Sequence, residues 1–175
     1  MEIEQNKTLE ALRIAIELEK DGRECYMQAS QDSGNDVGRK IFGSMAHDED
    51  LHRKKFEEIF NDMRQNKGWP LIDPHLDNSR KLHEIFDEAC TAAGVNVKAA
   101  GLEFDAINTA IQKEKTSYDF YKKQSHNATY DTERAFYEAV AAEEMQHELV
   151  LTDYLEYLTD PVDWFTRVEH HSLDG

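Results

Sequence analysis

An all-α, up-down four-helix bundle with a long crossover is the fold class that three features of this sequence predict. Its 175 residues include only 8 Gly and 3 Pro, with 39% hydrophobic and 32% charged residues, a mixture rich in helix formers and poor in turn and strand formers. Apolar residues recur at helical rather than alternating spacing over long runs. Those runs are interrupted twice by short polar strings and once by a longer segment with two prolines, which describes two helical hairpins joined by a crossover.

Each element has its own signal. Leu9, Leu12, Ile16, Tyr26 and Met27 form a stripe that predicts a helix over about 7–32, stopped by Ser33-Gly34-Asn35. Ile41, Met45, Phe56, Ile59, Phe60 and Met63 extend a second helix from Asp36 to about residue 66. Gly68-Trp69-Pro70 and Asp73-Pro74 then break the pattern, because proline fits no helix interior and restricts the residue before it. Asn78 can cap a shorter amphipathic helix carrying Leu82, Ile85, Phe86 and Ala89 and closed by Gly94. A third long helix, about 97–126, places Leu102, Ile107, Ile111, Tyr118 and Tyr121 inward, and a fourth spans about 131–158 and ends before Pro161. The tail is expected to hold one short turn around Trp164-Phe165.

The length suits one domain, 1–175. A net charge of −16 argues against nucleic acid, whose binding needs a basic face to release counterions, and favours attraction of cations. No apolar run is long enough for a membrane helix, and Met1–Lys7 lacks the order of a signal peptide, so a cytoplasmic protein is expected. Cys25 and Cys90 form no CxxC pair, which leaves two plain thiols rather than a cysteine-ligated metal centre.

The chain also repeats itself. Ala15, Ile16, Glu19, Lys20, Tyr26, Ser30, Arg39, Ala46, Glu49 and His52 each recur 95 positions later, as Ala110, Ile111, Glu114, Lys115, Tyr121, Ser125, Arg134, Ala141, Glu144 and His147. The repeat covers 9–63 and 104–158. In each copy a Glu on the first helix is followed 30 residues on by a Glu-x-x-His on the second. Residues i and i+3 share a helix face, so each motif sends one carboxylate and one imidazole toward the bundle axis.

A single Glu-x-x-His means little in a chain with 20 Glu and 8 His. Two copies at the same register on inward, apolar stripes mean more, because an unpaired charge there would cost several kcal/mol (roughly). Four buried carboxylates repel one another unless cations sit among them, and two divalent ions balance their charge. The donor set suits iron or manganese: calcium avoids nitrogen, and structural zinc favours thiolate. Asp48 and Glu143 lie four residues before the two histidines, within reach to orient the imidazoles of their own helices. His47, His75, His83, His126, His170 and His171 belong to no such pattern and read as surface or structural residues.

With these motifs the span from about 7 to 158 resembles the rubrerythrin family of ferritin-like diiron carboxylate proteins. That resemblance implies that Glu19, Glu49, His52, Glu114, Glu144 and His147 ligate two irons. It also implies that Tyr26 and Tyr121, seven residues after each single Glu, hydrogen-bond ligand carboxylates. Two features depart from the family pattern. A rubredoxin domain with paired CxxC motifs is missing, so a separate rubredoxin-like electron donor is expected. The additional Glu usual three residues after the third-helix Glu is Ser117 here, which leaves six ligands and puts a redox-linked ligand exchange in doubt. Bacterioferritin shares the paired motif, but where it has Met for haem this chain has Asp50, so no haem is expected.

The activity so implied is reduction of hydrogen peroxide to water. Alternatives are a ferroxidase, iron-storage or iron-binding protein acting with dioxygen, and a dimanganese catalase. The crossover helix and the Trp164-Phe165 tail, apolar elements outside the repeat, suggest a homodimer.

Overall fold

The computed structural model describes residues 2–71, 79–98 and 101–173. It contains helices α1 (Glu2–Asp32), α2 (Asp36–Arg64), α3 (Ser79–Ala93), α4 (Gly101–Asn127), α5 (Asp131–Thr159) and α6 (Pro161–Leu173), with a single 3₁₀ turn at Gly94–Asn96. No strand occurs among the described residues. Asp73-Pro74 and the expected cap Asn78 lie outside them.

α1 packs along α2 and α4 along α5, with fewer contacts between the hairpins. The side chain of Gln5, near the start of α1, donates to the Met63 carbonyl at the end of α2, at 2.9 Å. Glu103, near the start of α4, meets Ser33 and Asn35 of the α1–α2 turn and Tyr154 of α5. The crossover therefore spans the bundle length, with α1 and α5 running one way and α2 and α4 the other, as a ferritin-like bundle requires.

The turn between α1 and α2 is fixed by Asn35, whose side chain accepts the Gly38 N–H at 2.9 Å and caps α2. Any side chain at Gly38 would force its neighbours to move. A Cβ there would overlap Ser33 Oγ, Glu103 Oε1 and Tyr154 Oη. These groups form a buried network in which Glu103 accepts from Ser33 at 2.5 Å, Asn35 at 3.0 Å and Tyr154 at 2.6 Å.

Two apolar clusters lie on either side of the bundle centre. One joins Ile41, Phe42, Phe86, Ile107, Tyr154 and Trp164; the other joins Leu12, Phe56, Trp69, Tyr121, Phe136 and Tyr137. Three expectations change. Leu102 is 80% exposed and Met27 39% exposed, because the neighbouring Glu103 and Tyr26 take the inward positions and one residue along a helix turns about 100°. The tail is a helix of 13 residues rather than a turn. Asp160-Pro161 both ends α5 and starts α6, since Asp160 accepts the Asp163 N–H at 3.0 Å and proline suits the first helical position. Finally, the apolar faces expected to cover a neighbour are buried within the chain, where Phe86 of α3 packs edge-on against Trp164 of α6 and Tyr157 of α5.

Candidate metal centre

All six residues singled out as ligands are buried at mid-bundle: Glu19, Glu49, His52, Glu114, Glu144 and His147. They fall into two groups whose potential ligand atoms lie within 4.8 Å of one another: Glu19, Glu49, His52 and Glu144, and Glu49, Glu114, Glu144 and His147. Glu49 and Glu144 belong to both. The two groups thus have the arrangement of a dinuclear site, in which the Glu of each Glu-x-x-His can bridge while each single Glu and each His complete one side.

Each imidazole faces one carboxylate of its own half and one of the other. Nδ1 of His52 on α2 faces Glu19 of α1 at 3.2 Å and Glu144 of α5 at 3.6 Å. Nδ1 of His147 on α5 faces Glu49 of α2 at 3.4 Å and Glu114 of α4 at 3.5 Å. Each outward nitrogen faces a carboxylate of the opposite half: His52 Nε2 is hydrogen-bonded to Glu143 at 2.8 Å, and His147 Nε2 lies 3.6 Å from Asp48, within ion-pair reach. Asp48 and Glu143 were expected to orient the histidines of their own helices. They orient each other's, because a side chain four residues before a His on the same helix aims at the facing helix. The tyrosines cross too. Tyr26 donates to Glu114 and Tyr121 donates to Glu19.

Electrostatics show what the cluster does without cations. Burial pushes the Glu49 carboxyl well above the usual range, and the charges of Glu19 and Glu114 add to this. Glu144 is raised in the same way by burial and by Glu114, Glu49 and Glu19. Burial also works against ionised Glu114, but His147, Glu144 and Tyr26 outweigh it and hold this carboxyl below its ordinary value. Burial disfavours charged His52 and His147, yet Glu19 and Glu114 respectively lead the carboxylate interactions that leave both raised. The tyrosine hydroxyls rise with burial and the adjacent carboxylates, which keeps them protonated donors.

Protons do not satisfy the site completely. Glu49 Oε1, Glu114 Oε2, Glu144 Oε1 and His147 Nδ1 are buried and have no hydrogen-bond partner among the described residues. Unpartnered carboxylate oxygens and an imidazole nitrogen of this kind, on residues of two groups whose potential ligand atoms lie within 4.8 Å of one another, fit a pair of divalent cations. Oxygen and imidazole donors without thiolate suit iron or manganese.

A cavity of about 450 Å³ reaches the cluster between α1 and α4, lined by Gly22, Tyr26, Glu49, Glu114, Ser117 and Glu144 among others. Gly22 keeps it open, since a Cβ there would come within 2.5 Å of Glu49 Oε2. Sequence reasoning did not single out Gly22, although it stands 95 positions before Ser117. It also did not single out Glu103, which lies apart from the ligand cluster in its network with Ser33, Asn35 and Tyr154. His47 and His126 are exposed; His75, and the side chains of His170 and His171, lie outside the described residues.

Four long antiparallel helices around a buried, duplicated carboxylate and imidazole cluster define a ferritin-like metal-binding bundle. The family model for rubrerythrin matches residues 10–155, and the chain belongs to the rubrerythrin family. No curated protein and no solved structure gives a match. Among the described residues, no helix is long and apolar enough to cross a membrane.

Proposed function

We propose that this protein reduces hydrogen peroxide to water at a two-iron centre, drawing its electrons from a separate donor such as a rubredoxin-like protein. The observation that carries this reading is the sharing of Glu49 and Glu144 by two four-residue groups. Sharing holds two redox-active ions close enough to act together on one small oxidant. Reduction of one peroxide consumes two electrons and two protons and yields two waters. Paired iron would supply both electrons and Lewis acidity toward the O–O bond.

The chain's own residues prepare that chemistry. Glu49 and Glu144, which belong to both groups, would hold both ions, Glu19 with His52 and Glu114 with His147 would hold one each, and Glu143 and Asp48 stand beside the imidazole rings on their far side. Tyr26 and Tyr121 restrain the carboxylates they donate to, so that these remain in place as charge at the centre changes. The cavity beside Gly22 and Ser117 offers a small oxidant a path and leaves Glu49 room to shift.

Stopped-flow absorbance of the anaerobic, ferrous-loaded protein tests this. Two irons per chain, faster oxidation by peroxide than by dioxygen, and turnover only with an added electron donor are expected. Faster reaction with dioxygen and growth of a multi-iron mineral would transfer the reading to a ferroxidase. Oxygen release from peroxide without a donor, by manganese-loaded protein, would mean a dimanganese catalase. Light scattering reads the assembly; a large shell would favour storage.

A further inference from the structure

We propose that Tyr121, Tyr137 and Trp69 form a one-electron conduit between the metal pocket and the bundle surface. Tyr121 is fully buried and donates its hydroxyl to Glu19. Its ring stacks on Tyr137 with centroids 6.2 Å apart and planes 21° apart. Tyr137 in turn lies 5.7 Å from Trp69, which is 8% exposed. Trp69 is brought there by the turn after α2, where Asn66 and Gly68 adopt positive φ and fold the chain back onto α5.

Aromatic packing alone fills many cores, so the other half of the molecule serves as the internal control. The second tryptophan, Trp164, stands 95 positions after Trp69, as Tyr121 stands after Tyr26 and Tyr137 after Phe42. Tyr26 stacks on Phe42 with nearly the same geometry, 6.2 Å and 18°. From there the paths differ. Phe42 reaches Trp164 only through Tyr154 and Phe86, in further steps of 6.2, 6.3 and 5.5 Å. One tyrosine at the metal pocket is therefore a single intervening ring from a tryptophan that lies just beneath the surface, and its counterpart is separated from the other tryptophan by three rings. The two indoles are similarly covered, at 8% and 6% exposure, so connection rather than accessibility distinguishes them.

The chemistry of each ring assigns its part. Tyr121 loses an electron together with its proton, which passes to the Glu19 carboxylate along the existing hydrogen bond. Among the described residues the buried Tyr137 hydroxyl has no hydrogen-bond partner, so it has no acceptor there for a proton and serves as the stacked bridge. The Trp69 indole can give up an electron while keeping its N–H, which also has no partner among the described residues. In sequence, the oxidised pocket takes an electron from Tyr121, Trp69 replaces it as the proton returns from Glu19, and a one-electron donor at the surface re-reduces Trp69. The net result is one electron moved inward and no proton displaced. With hydrogen peroxide as the oxidant, this route rests on the function proposed above.

Flash photolysis separates the two ideas. The full chain is loaded with zinc, which has no redox chemistry, and a photo-oxidised ruthenium polypyridyl complex in solution serves as the one-electron oxidant. Transient absorbance should show a tryptophanyl signal decaying as a tyrosyl signal grows. Trp69→Phe and Tyr121→Phe should each lose that transfer, and Trp164→Phe should leave it unchanged. Zinc content and melting temperature establish that each variant is folded and loaded. Equal transfer in Trp69→Phe and the native chain, or tyrosyl formation undiminished in Tyr121→Phe, would overturn the conduit. So would the absence of any tryptophan-to-tyrosine transfer in the native protein. Transfer without any oxidation of ferrous-loaded protein by peroxide would instead sink the peroxidase reading and leave the conduit standing. Donor-dependent peroxide turnover at native rates in Trp69→Phe, without hole transfer, would do the reverse.

Discussion

The hairpin α1–α2 and the hairpin α4–α5 are close copies at mid-bundle and strangers at their ends. At the centre the candidate ligands and the groups beside them have counterparts 95 positions away, placed alike on the other side: Glu19 and Glu114, Glu49 and Glu144, His52 and His147, Asp48 and Glu143, Tyr26 and Tyr121. At the turns the equivalence fails. Gly38, which makes room for the Glu103 network, corresponds to Glu133, whose carboxylate accepts the Thr129 N–H at 2.9 Å and helps hold the start of α5. Chemistry that needs two ions in like surroundings constrains the middle, whereas turns need only close the chain.

The largest expected effect breaks the centre itself. Glu49→Ala or Glu144→Ala removes a group that belongs to both metal clusters, so each should lose both ions. Glu19→Ala or Glu114→Ala removes a group from one cluster only and should retain about one ion per chain. Elemental analysis after loading decides this, and unequal behaviour of Glu49 and Glu144 variants would show that the halves are not equivalent. In metal-free protein the Glu144→Ala variant should melt higher than the native chain, since it removes one of four mutually repelling carboxylates. With metal the order should reverse, because bound ions stabilise the folded state.

A second effect separates the two states by pH. Glu49, Glu144, His52 and His147 all have raised values in the metal-free fold. A raised group contributes stability that is complete below its unfolded value and is lost as pH rises through its folded value. The carboxyls begin to lose it above about 4.3 and the histidines above about 6.5. Glu114, held low, has the opposite sign and loses its contribution only as the solution becomes more acidic than the ordinary glutamate range. Chelated protein should therefore melt at a higher temperature near about pH 5.5 than near about pH 8. Loaded protein should show the reverse, because protons compete with the ions for the same atoms. Parallel pH profiles in the two states would refute the linkage.

Much of the centre was legible in the sequence, and the reason is geometric. Glu-x-x-His at a fixed distance from a single Glu, given twice, places six side chains on inward faces by helix periodicity alone. The crosswise contacts were not legible, because they depend on how α2 and α5 face each other across the axis. The same applies to Leu102 and Glu103. An apolar stripe scored by hydrophobicity chooses leucine for the core, while the fold buries the glutamate because three donors from other elements await it. Helix α6 was underestimated because Asp160-Pro161 reads equally as an end and as a beginning.

The crosswise contacts give the third test. Glu143→Gln should weaken the ion beside Glu19 and His52 by roughly 10–100-fold and affect the ion beside His147 less. Asp48→Asn should do the converse. Titration of each variant with ferrous ion under anaerobic conditions, followed by its two binding steps, reads the difference. If each substitution weakens the site of its own helix's histidine instead, the facing arrangement of α2 and α5 is wrong.

The smallest expected effect belongs to the bundle ends, where the halves have parted. Gly38→Ala should destabilise the protein by about 1–3 kcal/mol, the usual range for forcing atoms into a packed site. The added methyl group must displace Ser33, Glu103 or Tyr154, each of which is already engaged. Backbone preference works in the other direction, since alanine favours a helix over glycine by about 1 kcal/mol, so the loss measured is net of that gain. Glu133→Ala, at the equivalent position, takes an acceptor from the Thr129 and Tyr130 N–H groups and should cost about 1 kcal/mol, the typical loss for a helix N-terminal contact. Neither variant should change the number of ions bound, because both lie at turns rather than among the ligands. Chemical denaturation with and without metal measures both. A Gly38→Ala protein as stable as the native one would mean that the Glu103 network yields easily, and that the first turn is no more constrained than the second.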